Sequence, residues 1–89
     1  MAEHDNKDFY NAVLSLQDVD ACHRFFTDIC TPKELQDLSD RLKVAKMLLD
    51  GKTYENITKA TGMSSTTIAR INRALLYGEG GYKQALEEK

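Results

Sequence analysis

Apolar positions along this 89-residue chain recur every three or four residues and nowhere alternate as a half-buried strand would. The pattern is clearest in TGMSSTTIARINRAL, residues 61–75, where Ile68, Ile71 and Leu75 share one helical face by i, i+3, i+7 spacing. Thr66, Ala69, Arg70 and Arg73 fall on the opposite face, which holds hydroxyls and guanidiniums but no carboxylate. Upstream, Phe9, Val13 and Leu16 with Tyr10 and Leu14 make a first amphipathic segment, opened by a polar cap near Asp5 or Asn6. A second follows Asp18, with Val19, Cys22, Phe25, Phe26 and Ile29 at helical spacing. TPKE at 31–34 is a strong start signal: Thr31 as N-cap, Pro32 at the first helical position, Glu34 closing a capping box.

The third helix so begun carries Leu35, Leu38, Leu42, Ala45 and Leu49, and Val44, Met47 and Leu48 widen its stripe beyond what one small partner helix covers. Gly51 ends it as a left-handed cap and Thr53 caps the fourth helix, YENITKAT, with Tyr54, Ile57 and Ala60 inward. Gly62 breaks the chain, Ser64 caps, and the fifth helix follows. After Tyr77 comes the flexible GEGGY, then YKQALEEK, a terminal helix with Tyr82, Ala85 and Leu86 inward. The expectation is an all-α single domain over 1–89, with residues 1–50 as dimerisation helices, 53–77 as a helix-turn-helix and 81–89 as a C-terminal helix.

Composition, 42% hydrophobic and 29% charged, is that of an ordinary soluble domain, and no run is long enough to span a bilayer. The start, MAEHDNKD, lacks the apolar core of a signal peptide, so a cytoplasmic location with no membrane partner is expected. A chain this short gains core by pairing with a copy. The net charge of -2 conceals a segregation. Residues 1–40 hold three basic and nine acidic side chains, a net of -6, whereas residues 41–77 hold seven basic side chains against Asp50 and Glu55, a net of +5. A basic face is the electrostatic footprint of a protein that docks on phosphates.

Two short helices joined by a tight glycine-containing turn, the second basic and polar outward, form the helix-turn-helix pattern of DNA-binding proteins. Small side chains at Ser65, Thr66 and Ala69 let the helix backbone approach base edges, and Arg70 and Arg73 supply phosphate contacts or a bidentate reading of guanine. Cys22 and Cys30, read as lying within one helix about 12 Å apart along its axis, are too distant for a disulfide and read as small core hydrophobes. His23 beside Cys22 has no ligand pair to complete a metal site, so neither metal nor cofactor is expected. No nucleophile stands beside a base, and GEGGY lacks the ending of a phosphate loop, so an enzyme is not expected. The competing class is a helical protein-interaction module in transcription whose helix-turn-helix is scaffold.

TPKELQDLSDRLKVAKMLLDGKTYENITKATGMSSTTIARINRAL, residues 31–75, resembles the core of the Trp repressor family and is most similar to its YerC/YecD group of small, all-helical transcription factors. The resemblance implies an intertwined homodimer that binds double-stranded DNA at a palindromic operator, with two helix-turn-helix units projecting outward. It places base contacts at Ser65, Thr66 and Ala69, with Thr67 and the fourth-helix residues near phosphates, and Ser64, Lys52 and Thr53 complete the expected DNA-binding set. Arg41 and Arg70 match the two arginines that flank bound tryptophan in the Trp repressor, but Ile71 stands where that protein has the glycine that leaves room for the indole. Overpacking a tight pocket costs about 1–3 kcal/mol, so Arg41, Arg70 and Ile71 read as a vestigial effector pocket. On this reading Ile71 completes the Ile68 and Leu75 stripe. A regulator of the same kind answering a different small effector is the alternative.

Overall fold

A computed structural model of the chain describes residues 5–87. Among the described residues it has six α-helices and no strand: α1 (Lys7–Leu14), α2 (Val19–Ile29), α3 (Pro32–Leu49), α4 (Tyr54–Thr61), α5 (Ser65–Tyr77) and α6 (Gly81–Glu87). The first four residues of MAEHDNKD and the last two of the predicted 81–89 helix lie outside the described residues. The fold divides into two compact units between Leu35 and Gln36, within α3.

In the first unit, Asn6 takes the N-cap position of α1, but its side chain makes no capping hydrogen bond. The helix stops at Leu14, short of Leu16, where Ser15 donates from Oγ to the Ala12 carbonyl at 2.7 Å. The same carbonyl accepts the Ser15 backbone N–H at 3.2 Å, so Ser15 closes the last turn through both groups. Asp18 caps α2 by accepting from the Ala21 N–H at 2.8 Å. Phe9 packs on Phe25 with ring centroids 6.0 Å apart, and Phe25 meets Phe26 edge-on at 5.1 Å. The reading of both cysteines within one helix is corrected: α2 ends at Ile29, and Cys30 is extended at φ -113, ψ 151. The cause lies just downstream. Proline at position 32 excludes helical backbone from Thr31, and Thr31 is committed to the capping box. Its N–H donates to Glu34 Oε1 at 2.8 Å and its Oγ1 accepts from the Glu34 N–H at 3.1 Å. Both thiols are free and half-buried.

In the second unit, α3 closes in a Schellman motif. The Lys52 N–H reaches the Met47 carbonyl and the Gly51 N–H the Leu48 carbonyl, each at 3.0 Å, with Gly51 at φ +88. Thr53 caps α4 by accepting from the Asn56 N–H at 3.1 Å. Gly62, at φ +78, sends its N–H to the Thr58 carbonyl at 2.8 Å, while Thr61 Oγ1 donates to the Ile57 carbonyl and accepts from the Met63 N–H. Three residues, 62–64, therefore turn the chain from α4 into α5, and the two helices pack on each other. Val44 and Ala45 from α3, Ile57 from α4, and Ile68, Ile71 and Leu75 from α5 form the buried core. Met47, Leu48, Met63, Tyr82 and Leu86 pack against it.

The inward assignments in the two short helices need correction. Ala60 and Ala85 are exposed and Tyr54 sits at the margin. In both short helices the inward pair is spaced i, i+4 (Ile57 with Thr61, Tyr82 with Leu86), which puts the i+3 alanine on the flank. Along α3 only Val44 and Ala45 are fully buried, whereas Leu38, Leu42 and Leu49 of the predicted stripe stay exposed. Val19, on the predicted stripe of α2, is exposed as well.

Candidate nucleic-acid interface

The surface of α5 is decided by its anchor. Ile68, Ile71 and Leu75 lock one face into the core, so the opposite face must point outward, and Ser65, Thr66, Ala69, Arg70 and Arg73 are all exposed there. No carboxylate stands on this helix. Among the described residues, neither Arg70 nor Arg73 forms an ion pair or side-chain hydrogen bond, in contrast to Lys46 with Asp50 and Lys59 with Glu55. Those pairs are solvent-exposed and worth at most about 1 kcal/mol.

Two of the hydroxyls read as DNA contacts have prior duties. Ser64 Oγ accepts from the Thr67 N–H at 3.2 Å and donates to Thr67 Oγ1 at 3.1 Å, while Thr53 caps α4. Their first role is to fix where the two helices start, and hence how the Ser65 to Arg73 face is presented. Lys52 is exposed beside Thr53 at the entry to α4.

Arg41, Arg70 and Ile71 do converge. With Thr67, Ala74 and Tyr82 they line a cleft of about 380 Å³. Thr67, Arg70, Ile71 and Ala74 are spaced i, i+3, i+4, i+7, the flank of α5 between its outer face and its buried one. Ile71 serves two surfaces: only 5% exposed, it belongs to the core and also walls the cleft. Thr67 and Ala74 could have been found from that spacing. Tyr82 could not, because nothing in the sequence says that α6 brings it to this cleft. The same tyrosine lines a second cleft of about 380 Å³ with Ala74, Gly78, Glu79, Gly81 and Ala85.

Residues 4–89 match the Trp repressor protein family. The chain belongs to that family. Relatives of this Trp repressor family member include the uncharacterised protein YerC of Bacillus subtilis (strain 168), 49% identical over 78 residues that span 88% of this chain and 75% of YerC. A crystal structure of a TrpR-like protein from Eubacterium eligens ATCC 27750 superposes with a TM-score of 0.87 at 46% identity, covering 91% of this chain and 84% of that one. A Staphylococcus aureus protein provisionally described as a Trp repressor superposes with a TM-score of 0.86 at 41% identity, covering 91% and 81%. Both superpositions extend over most of this all-helical chain. No described helix of this family member is long and apolar enough to cross a membrane.

Proposed function

We propose that this chain is a sequence-specific DNA-binding transcriptional regulator and not an enzyme, a homodimer in the cytoplasm that sets α4 and α5 as a helix-turn-helix into the major groove. The observation that carries the reading is the outer face of α5, where exposed hydroxyls and the guanidiniums of Arg70 and Arg73 meet no carboxylate. Ser65, Thr66 and Ala69 then read bases, because short side chains admit the backbone to the base edges, and Arg70 and Arg73 hold phosphates with Thr67 and Lys52 beside them. Membership of the Trp repressor protein family supports the same class of activity.

Pairing of two copies is supported by what one chain leaves uncovered. Neither α1 nor α2 contains a single fully buried residue, yet both are amphipathic; Leu14 and Val19 stand 80% and 82% exposed, and Leu38 and Leu42 line α3 beside them in sequence. Helices whose apolar stripe one chain covers only in part are stable when a second copy supplies the rest of the cover. Two copies related by a two-fold axis read a palindromic operator, with half-sites about 34 Å apart. Tryptophan is not the corepressor on this reading, since Ile71 is packed into the core where an indole would need space.

The decisive experiment measures affinity for a duplex recovered by genomic capture across a series of salt concentrations. Counterion release makes the logarithm of affinity fall linearly with the logarithm of salt, and Arg73→Ala lowers that slope by about one unit on any sequence. Substitutions at Ser65, Thr66 or Ala69 change which sequence is preferred instead. A salt-independent association, as an apolar protein contact gives, sinks the reading in favour of an interaction module.

A further inference from the structure

Asn72 occupies the middle of α5, where asparagine is a poor helix former because its amide competes for backbone hydrogen bonds. Nothing within the chain offsets that cost: among the described residues the Asn72 amide has no hydrogen-bond partner. The side chain is half-buried, and Ile68 and Leu75, at i-4 and i+3 and both buried, are its neighbours along the helix surface. Its amide is nevertheless open to solvent, because among the described residues no enclosed side-chain nitrogen or oxygen lacks a partner. A polar head held on a packed stem loses less freedom when it is engaged from outside. A residue that weakens its own helix without an internal return is the kind found where a ligand supplies the return.

Its place on the helix says which ligand group that is. Ser65, Ala69 and Asn72 are spaced i, i+4, i+7 and so share one stripe of α5. The first two are the short side chains proposed to meet base edges. From Ala69 to Asn72 the helix advances about 4.5 Å, little more than one base-pair step of about 3.4 Å. A recognition helix meets bases mainly through its N-terminal residues, so a longer side chain is needed one turn further along. The amide carries a donor and an acceptor on one planar group, and in the major groove adenine presents the matching pair, acceptor N7 beside donor N6.

We infer that Asn72 is a specificity-determining residue that reads one adenine of the operator through a bidentate amide contact to its N7 and N6 edge. The inference rests on the DNA-binding reading and deepens it by naming a base, one step beyond the pair met by Ala69. Asn72 carries no charge, so it contributes to the choice of sequence and not to attraction for DNA at large.

The test takes the full chain as wild type, Asn72→Ala and Ser65→Ala through selection of bound duplexes from a randomised pool, then measures affinity for the captured duplex. Alanine is the better helix former, so Asn72→Ala melts at or above the wild-type temperature. It accepts all four bases at one position where the wild type selects adenine. Its affinity for the captured duplex falls about tenfold with the salt slope unchanged, since no charge is lost. In a second arm 7-deaza-adenine replaces adenine at that position, removing the N7 acceptor while leaving base pairing intact. The wild type then binds about tenfold more weakly, and Asn72→Ala does not tell the two duplexes apart. Selected sequences that Asn72→Ala leaves unchanged, or a wild type indifferent to the deaza base, refute the contact; a preference shifted by Ser65→Ala in the same selection then leaves the DNA reading standing without it. A lower melting temperature with unchanged preference makes Asn72 a packing residue and refutes the contact as well. A wild type that enriches no duplex from the pool refutes the DNA reading, and the contact with it.

Discussion

Ile71 is where the packing of α5 can be tested most directly. Replacing it by alanine removes three carbons beyond Cβ from a side chain that is only 5% exposed. At about 0.8 kcal/mol for each buried carbon, the transfer loss is about 2.4 kcal/mol. Isoleucine-to-alanine changes in cores span about 2–5 kcal/mol, the upper part reflecting cavities that stay empty. Here the side chain also borders the Arg41 cleft, which admits water, so the cost falls in the lower half, about 2–3 kcal/mol. Ile71→Gly adds about 1 kcal/mol for glycine inside a helix, and Ile71→Val costs about 1 kcal/mol. Urea unfolding followed by far-ultraviolet circular dichroism measures these differences, at one fixed protein concentration because subunit association shifts the midpoint by mass action. For a domain of this size the alanine variant melts about 10–20 °C lower. An alanine variant within 0.5 kcal/mol of wild type would refute the anchoring of α5 by Ile71, and a glycine variant no worse than alanine would refute a helical backbone there.

The other predictions are smaller or qualitative. Gly62→Ala destabilises by about 1–2 kcal/mol through its left-handed backbone alone, since no atom lies within 4 Å of the added carbon, and Gly62→Asn costs less; thermal melts of the pair decide it. Thr31→Ala removes one half of the capping box at the start of α3 and costs about 1 kcal/mol in the same assay. Sedimentation equilibrium at micromolar protein gives a mass near twice the 10.1 kDa chain, and a monomer that binds DNA as a single unit contradicts the dimer. Calorimetric titration with L-tryptophan gives no saturable heat and no change in DNA affinity, whereas micromolar binding that tightens the complex overturns the ligand-independent reading.

What could be read from the sequence was local. TPKE, Asp18, Thr53 and Ser64 mark helix starts because a cap depends only on residues three positions away, and all four side chains make their bonds as the spacing requires. Gly51 and Gly62 mark ends for the same reason, since a left-handed backbone is a property of one residue. Periodicity also placed Ile68, Ile71 and Leu75 inside. It misjudged Ala60 and Ala85, because an i, i+3 and an i, i+4 partner look equally inward until the neighbouring helix fixes the rotation. The α3 stripe could not be resolved either: Val44 and Ala45 are buried within the chain while Leu38, Leu42 and Leu49 are left over, and the sequence shows only their shared apolar character. Tyr82 lines the arginine cleft through a placement of α6 that no local signal encodes.

The charge segregation follows from the same division of labour. A regulator must hold its operator against a large excess of other DNA, and every basic side chain adds affinity for all sequences equally. Spreading seven basic residues over 41–77 while keeping nine acidic ones in 1–40 confines attraction to one part of the chain and leaves the whole at -2. On the proposed reading, discrimination then rests on the geometry of α5, and that geometry is fixed by uncharged groups: the Ser64 cap, the Gly62 turn and the Ile68, Ile71, Leu75 anchor. A neutralised acidic segment should therefore raise affinity for random duplex more than for the captured one. Loosening the anchor by Ile71→Ala should do the reverse, lowering preference for the captured duplex while leaving the salt slope in place, because the substitution removes no charge.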